Sequence, residues 1–204
     1  MGLFFKVKEQ KNYGEDLPED TLLAFKAADG DENSFEILVR KYERFVSTCV
    51  YPIIGNTDDT ADVCQEVFLK VYRSLSSFKG ESSFSTWLYR VAKNCAYDFV
   101  RKKKGENVSL DETDEDGKGL ELPDTDEKNY PEQTALKNER KQLLWAAVSR
   151  LSDEHREIIV LRDINDYTYE QIAQMTGLEP GTVKSRLFRA REALKKQLLK
   201  ENYF

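Results

Sequence analysis

The sequence predicts an all-α protein: two small helical domains joined by a flexible acidic linker, the C-terminal one containing a helix-turn-helix. Three observations lead there. Apolar residues recur at three- and four-residue spacing in both halves, and no segment carries a strand signal strong enough to place a sheet. Between the halves, residues 105–132 hold eleven acids and two bases, together with Gly105, Gly117, Gly119, Pro123 and Pro131. So few large apolar side chains remain there that burial cannot offset the entropy of ordering the segment. Near the C-terminus, Thr168, Gly177 and Pro180 punctuate two apolar helical patterns in the order a steep helix crossing needs.

The chain of 204 residues is 40% hydrophobic and 33% charged, enough for two small cores. The reading divides it into an N-terminal extension (1–17), a helical domain (18–104), the linker (105–132) and a second helical domain (133–204). As a coil, the linker would hold its ends roughly 30 Å apart on average and about 90 Å at full stretch. No apolar run approaches the roughly 20 residues that span a bilayer. Met1 to Lys6 is too short an apolar block for a signal peptide, and Lys6 stands where a myristoylation signal wants Ser or Thr. The expectation is a cytoplasmic protein without membrane insertion.

Within the first domain, Pro18 opens a short helix that ends near Gly30. A second runs from about Asp31, with Phe35, Leu38, Val39, Tyr42, Phe45, Val46, Cys49 and Val50 inward. The third follows Asn56-Thr57-Asp58 and turns Cys64, Val67, Phe68, Val71 and Leu75 inward. The fourth begins near Ser83, buries Phe84, Trp87, Leu88, Val91, Ala92, Cys95, Ala96 and Phe99, and fades into Arg101 to Lys104. Each apolar face needs the others to cover it.

After the linker, Leu136, Leu143, Leu144, Ala147, Val148 and Leu151 mark a helix, and Ser152 is placed to cap the next, which carries Ile158, Ile159 and Leu161. Thr168 then caps a helix holding Tyr169, Ile172, Ala173 and Met175. Pro180 starts the last, with Val183, Leu187, Ala190, Leu194 and Leu198 inward. Ala173 supplies a small residue at the crossing, Gly177 a residue tolerant of positive φ, and Val183 an apolar plug.

The three cysteines, Cys49, Cys64 and Cys95, are far apart, odd in number and without a C-x-x-C pair. Buried free thiols are expected. With His155 the single histidine, a zinc site has almost nothing to be built from, and no metal or cofactor is expected. No carboxylate cluster or nucleophile–base pair suggests an enzyme.

The net charge of −6 would argue against nucleic acid, but its distribution reverses that. The linker alone contributes −9, residues 1–104 balance, and 179–204 have seven bases against three acids. The outer face of the last helix carries Lys184, Ser185, Arg186, Phe188, Arg189 and Arg191, side chains suited to phosphates and base edges. A basic face is usually only solvated; here it lies on the helix that such a motif inserts into a groove. On the fourth helix, a stripe of Thr86, Arg90, Lys93, Asn94, Tyr97, Arg101 and Lys104 follows the loop Phe78-Lys79-Gly80-Glu81-Ser82-Ser83-Phe84. Charge interleaved with rings and amides fits single-stranded DNA, and a Gly/Ser loop can hold a flipped base. An ordinary capped loop and wet face fit equally well. On the third helix Asp62, Gln65, Glu66, Leu69 and Arg73 share an outward stripe, either a solvated acidic face or a protein-docking surface.

Two long segments carry a resemblance. Ala61-Asp62-Val63-Cys64-Gln65-Glu66-Val67-Phe68-Leu69-Lys70-Val71-Tyr72-Arg73, with Phe84-Ser85-Thr86-Trp87-Leu88-Tyr89-Arg90-Val91-Ala92-Lys93-Asn94, resembles region 2 of bacterial sigma factors. Gly181-Thr182-Val183-Lys184-Ser185-Arg186-Leu187-Phe188-Arg189-Ala190-Arg191 resembles region 4, and the two-domain plan is similar to the extracytoplasmic-function group. The resemblance implies a non-enzymatic transcription initiation factor. Asp62, Gln65, Glu66 and Leu69 would dock on core RNA polymerase. Lys79, Gly80, Ser82, Ser83, Phe84, Trp87, Arg90, Lys93, Asn94, Tyr97 and Arg101 would take single-stranded −10 DNA. Thr182, Lys184, Ser185, Arg186, Phe188 and Arg189 would meet the −35 duplex. An anti-sigma partner and a monomeric free state are also implied. Ala61 departs from the acid common at that position, which weakens one polymerase contact. A free-standing helix-turn-helix regulator is the alternative; it predicts a dimer on a palindrome.

Overall fold

Each helix of the first domain begins where a short polar or proline residue says it should. The computed structural model of the protein describes residues 17–106 and 131–200, without the side chains of 105–106 and 131–139. Helix α1 (Glu19–Ala28) starts directly after Pro18. Asp31 caps α2 (Glu32–Ile54), accepting from the Asn33 amide at 3.2 Å and the Ser34 hydroxyl at 2.6 Å. This helix runs past Val50, where the sequence pattern stops, and carries Pro52 in its last turn, where the ring removes the bond an N–H would make to the Thr48 carbonyl. Gly55, at φ +90°, ends it.

Asn56 caps α3 (Thr57–Ser74) by accepting from the Asp59 amide at 2.9 Å. A single 3₁₀ turn (Leu75–Ser77) leads into the loop at 78–83 and then α4 (Phe84–Glu106). The Ser83 hydroxyl accepts from the Thr86 amide at 3.2 Å and lies 2.8 Å from the Thr86 hydroxyl. That cap draws Thr86 inward to 1% exposure, so it is not part of the outward stripe the spacing suggested.

The second half comprises α5 (Pro131–Ser149), α6 (Asp153–Ile159), a π-helical turn (Val160–Ile164), α7 (Tyr169–Thr176) and α8 (Pro180–Lys200). Ser152 precedes α6 but its side chain makes no capping bond; Asp153 and Glu154 put negative charge at that end of the helix instead. Along α5 the inward position is Trp145, 4% exposed, whereas Leu144 is 38% exposed. Among the described residues there is no strand and no helix long and apolar enough to cross a membrane. Of the linker expected at 105–132, residues 107–130 lie outside them, while 105–106 end α4 and 131–132 begin α5.

The two halves do not keep separate cores. Tyr51 meets Trp145 edge to face at 5.7 Å, and Phe45 meets Tyr167 at 5.4 Å. Through these pairs the apolar interior of α1–α4 continues into that of α5–α8 as one cluster.

Candidate nucleic-acid interface

Local sequence builds the helix-turn-helix as its spacing predicts. Thr168 and Gln171 form a reciprocal capping box: the Gln171 amide donates to the Thr168 hydroxyl at 3.2 Å, and the Thr168 amide donates to Gln171 Oε1 at 2.8 Å. Gly177 ends α7 in the left-handed region at φ +74°. Val183 of α8 is fully buried, as are Ile172 and, within a few per cent, Met175 and Leu187. These side chains lock the crossing and leave the opposite face of α8 in solvent.

On that face Lys184, Ser185, Phe188 and Arg189 are exposed, Phe188 at 69%. Ser185 donates back to the Thr182 carbonyl at 3.0 Å, and Thr182 is half-buried. Two arginines are engaged elsewhere. Arg186 reaches Glu154 on α6 at 3.3 Å and its side chain is only 18% exposed. Arg191 forks onto Asp163, donating from Nε at 3.0 Å and from Nη2, which holds its guanidinium charged more firmly than usual. Both fix α8 against its own domain, so Lys184 and Arg189 are the charges this helix presents at its N-terminal half.

The loop before α4 rests on aromatic rings. Phe84 is 2% exposed, packed on Tyr42 at 5.3 Å and Phe78 at 5.7 Å, and Trp87 lies 5.5 Å from Phe78. Phe84 therefore supports the loop from below and does not offer its ring to a base. Gly80, at φ +74°, is pressed onto α1: a Cβ there would sit 3.1 Å from the Phe25 ring. Lys79 and Ser83 are exposed and Ser82 half-buried at the rim.

The outward stripe of α4 divides in two. Asn94 and Arg101 are exposed, Arg101 paired with Asp98 one turn away. Arg90, Lys93 and Tyr97 face the second domain. Lys93 Nζ lies 2.5 Å from Glu157 Oε1, the buried Tyr89 hydroxyl donates to the same oxygen at 2.5 Å, and Arg90 donates to the Gln174 carbonyl at 2.9 Å. Burial and the Glu157 charge push Tyr89 far above a normal phenol, and burial raises Tyr97 to about 12, so both rings stay protonated donors. Glu157, Trp145 and Glu154 carried no role in the sequence reading. An acid directly before Ile158 and Ile159 was the available signal for the first.

On α3, Asp62, Gln65, Glu66 and Leu69 are all exposed, Leu69 at 50%, and Tyr72 extends the patch at 49%. Beside it a groove of about 280 Å³ runs between α3 and α4, lined by Asp62, Glu66, Lys70, Asp98 and Lys102. The thiols fall as expected, Cys49 and Cys95 buried and Cys64 partly so. Burial raises all three, Cys64 to about 12.

These two faces coincide with two family matches. Residues 38–106 match Sigma-70 region 2, and residues 141–194 match Sigma-70 region 4. An ECF RNA polymerase sigma-E factor of Haemophilus influenzae is 33% identical over 88% of this chain and 95% of its own. The protein of that name from Escherichia coli K12 is 36% identical over 86% of this chain and 92% of its own. Among solved structures, CnrH in complex with the cytosolic domain of CnrY matches with TM-score 0.63 and 23% identity, covering 88% of this chain and 96% of that one. The sigma factor RpoE of Bartonella quintana, solved with the anti-sigma factor NepR, matches with TM-score 0.63 and 24% identity over 80% and 96%. At those identities the solved structures speak to the fold. Matches to both regions in order, and relatives that span nearly the whole chain, place it: the chain belongs to the extracytoplasmic-function (ECF) sigma factors.

Proposed function

We propose that this protein is an alternative sigma factor whose two DNA faces divide promoter recognition between them. It binds core RNA polymerase, recognises −35 and −10 elements and promotes opening of the duplex, without catalysing a reaction itself. The observation that carries the reading is the pairing of a region 2 match and a region 4 match with two separately built faces. Lys184, Ser185, Phe188 and Arg189, with Thr182 at the edge, meet the −35 duplex in the major groove. Arg186 serves mainly to hold α8. Lys79, Gly80, Ser82, Ser83, Arg90, Asn94 and Arg101 line the surface that takes −10 bases, with the half-buried Lys93 and Tyr97 beside them, over a floor of Phe84 and Trp87. Asp62, Gln65, Glu66 and Leu69 dock on polymerase.

The working compartment is the cytoplasm, where polymerase and promoters are. The free protein is a monomer, and an anti-sigma protein that covers the α3 or α4 faces is the natural regulator. Footprinting of the reconstituted holoenzyme tests the reading. Protection of an upstream duplex element together with permanganate-reactive thymines downstream is expected. Holoenzyme that protects no more DNA than core polymerase alone would overturn it.

A further inference from the structure

The loop before α4 stands on a helix that the region 2 match does not reach. That match begins at residue 38, whereas α1 spans Glu19–Ala28. Yet α1 closes the underside of the loop. The Phe25 ring lies 5.8 Å from that of Phe78, and a Cβ on Gly80 would come within 3.1 Å of Phe25 Cζ and 3.4 Å of Thr21 Cγ2. Only a residue without a side chain lets the backbone lie this close to α1.

The helix is itself held in place. Tyr42 of α2 donates its hydroxyl to Asp20 Oδ2 at 2.6 Å, and Lys41 Nζ donates to Asp20 Oδ1 at 2.5 Å. The Tyr42 ring packs on Phe84 at 5.3 Å, and Phe84 packs on Phe78 at 5.7 Å. The contacts form a closed circuit, from Phe25 to Phe78, Phe84, Tyr42 and Asp20, and back along α1 to Phe25. A loop held only at its ends samples many backbone conformations. This one, held at its ends by Phe78 and Phe84, is also held at its middle by Phe25 beneath Gly80.

Telling one base from another needs polar groups held within about 0.5 Å of the productive geometry. From this circuit, and resting on the assignment of the loop to −10 DNA, we propose that α1 is the template that shapes the loop, with Phe25 and Asp20 as positioning residues for base selection. Neither touches DNA. Phe25 sets the height of Gly80, and with it the placement of Lys79 and Ser82 on either side. Asp20 fixes α1 against α2, so that Phe25 stays under the loop. Without the template the loop still attracts a strand through charge but discriminates less among bases.

The test uses holoenzyme reconstituted from core polymerase and the full chain. Wild-type holoenzyme selects a promoter from a randomised duplex library. The non-template strand of its −10 segment, kept single-stranded by a mismatched template, is then randomised one position at a time, and sequencing the bound fraction gives the base preference. Phe25→Leu withdraws the ring edge beneath Gly80 and keeps an apolar side chain. It should lower the preference at one position at least about threefold, while −35 duplex affinity, assembly with core and helicity stay at wild-type values. Tyr42→Phe deletes the hydroxyl that holds Asp20, keeps the ring on Phe84, and should act at the same position. Gly80→Ala should lose more, and combining it with Phe25→Leu should regain part of that loss, because leucine removes the atom the new Cβ meets. Preference unmoved in both Phe25→Leu and Tyr42→Phe overturns the proposal, as do losses that simply add in the double variant. Weaker binding overall with preference intact gives α1 a structural role only and also overturns it. Movement in Phe25→Leu alone removes Asp20 from the template. Wild-type holoenzyme that prefers no base anywhere in the segment overturns the −10 assignment itself, a failure distinct from that of the template.

Discussion

Arg186 of α8 and Glu154 of α6 meet at 3.3 Å, and the arginine side chain is 18% exposed. The pair turns a residue of the basic face into a brace between the recognition helix and the rest of its domain. Glu154 is itself 67% exposed, so solvent screens the charge pair, and what Arg186 brings is chiefly the packing of its covered side chain between the helices.

Arg186→Ala and Arg189→Ala should therefore behave differently. Arg186→Ala is expected to lower the thermal midpoint and to weaken all duplex binding together. Arg189→Ala should leave the midpoint unchanged and cost about 1–3 kcal/mol at one position of the −35 element only, read as lost discrimination in a competition assay. Equal losses on specific and scrambled duplexes for Arg189→Ala would contradict a base-reading role.

Asn94 is exposed on α4, away from the contacts that Lys93 and Arg90 make with the second domain. Asn94→Ala is expected to slow promoter opening by holoenzyme while sparing binding to the −35 duplex. On a pre-melted template with a mismatched −10 region, part of the defect should persist, because the lost contact is to the base and not to the act of melting. Full rescue by pre-melting would mean Asn94 acts in strand separation alone.

The α3 patch predicts polymerase docking by an apolar anchor ringed with acids. Leu69→Asp should weaken assembly with core by about tenfold or more without altering helicity, since Leu69 is 50% exposed and outside the core. Unchanged assembly, measured by titration of labelled protein with core, would move the docking site elsewhere.

Asp59 receives the Lys103 ammonium at 2.8 Å and an Asn56 amide N–H at 2.7 Å, and its pKa is lowered, chiefly by the Lys103 bond. A carboxylate depressed in the folded state stabilises it fully above the unfolded pKa, about 3.9, and progressively less as pH falls through the folded value. The difference in thermal midpoint between the wild type and Asp59→Asn should thus be constant from pH 6 to about pH 4 and shrink below that. It should be small, well under about 1 kcal/mol, because Lys103 is half exposed. A difference that grows toward low pH would reverse the sign of the argument.

Cys64 is raised by burial to about 12, so its thiolate fraction at pH 8 is roughly a thousandfold below that of a free cysteine. Iodoacetamide mapping by mass spectrometry should find Cys64 essentially unmodified in the native protein at times that fully label the unfolded chain. Labelling at the free-thiol rate would contradict its burial.

Much of the fold was written in local signals. Caps at Asp31, Asn56, Ser83 and Thr168 and the stop at Gly177 act within a turn of the helices they bound, so the sequence discloses them directly. The faces of α3 and α8 follow from helical periodicity for the same reason. What periodicity missed was tertiary. Trp145 is the inward residue next to Leu144 because Tyr51, almost a hundred residues earlier, offers it an edge. Thr86 turned inward to meet its own cap, whereas Phe84 is buried as periodicity placed it, and only its family −10 position suggested a contact to a base. Arg186, Arg90 and Lys93 read as free charges because Glu154, Gln174 and Glu157 reach them only in three dimensions.

Transcription by core polymerase supplied with this protein, on a library of randomised promoters, bears most directly on the account. The account predicts transcripts from templates sharing two separated elements, lost on Arg189→Ala when the upstream one is required and on Asn94→Ala when the downstream duplex must open. If core shown to be active on a non-specific template yields no transcript from any promoter with this protein added, the account is contradicted.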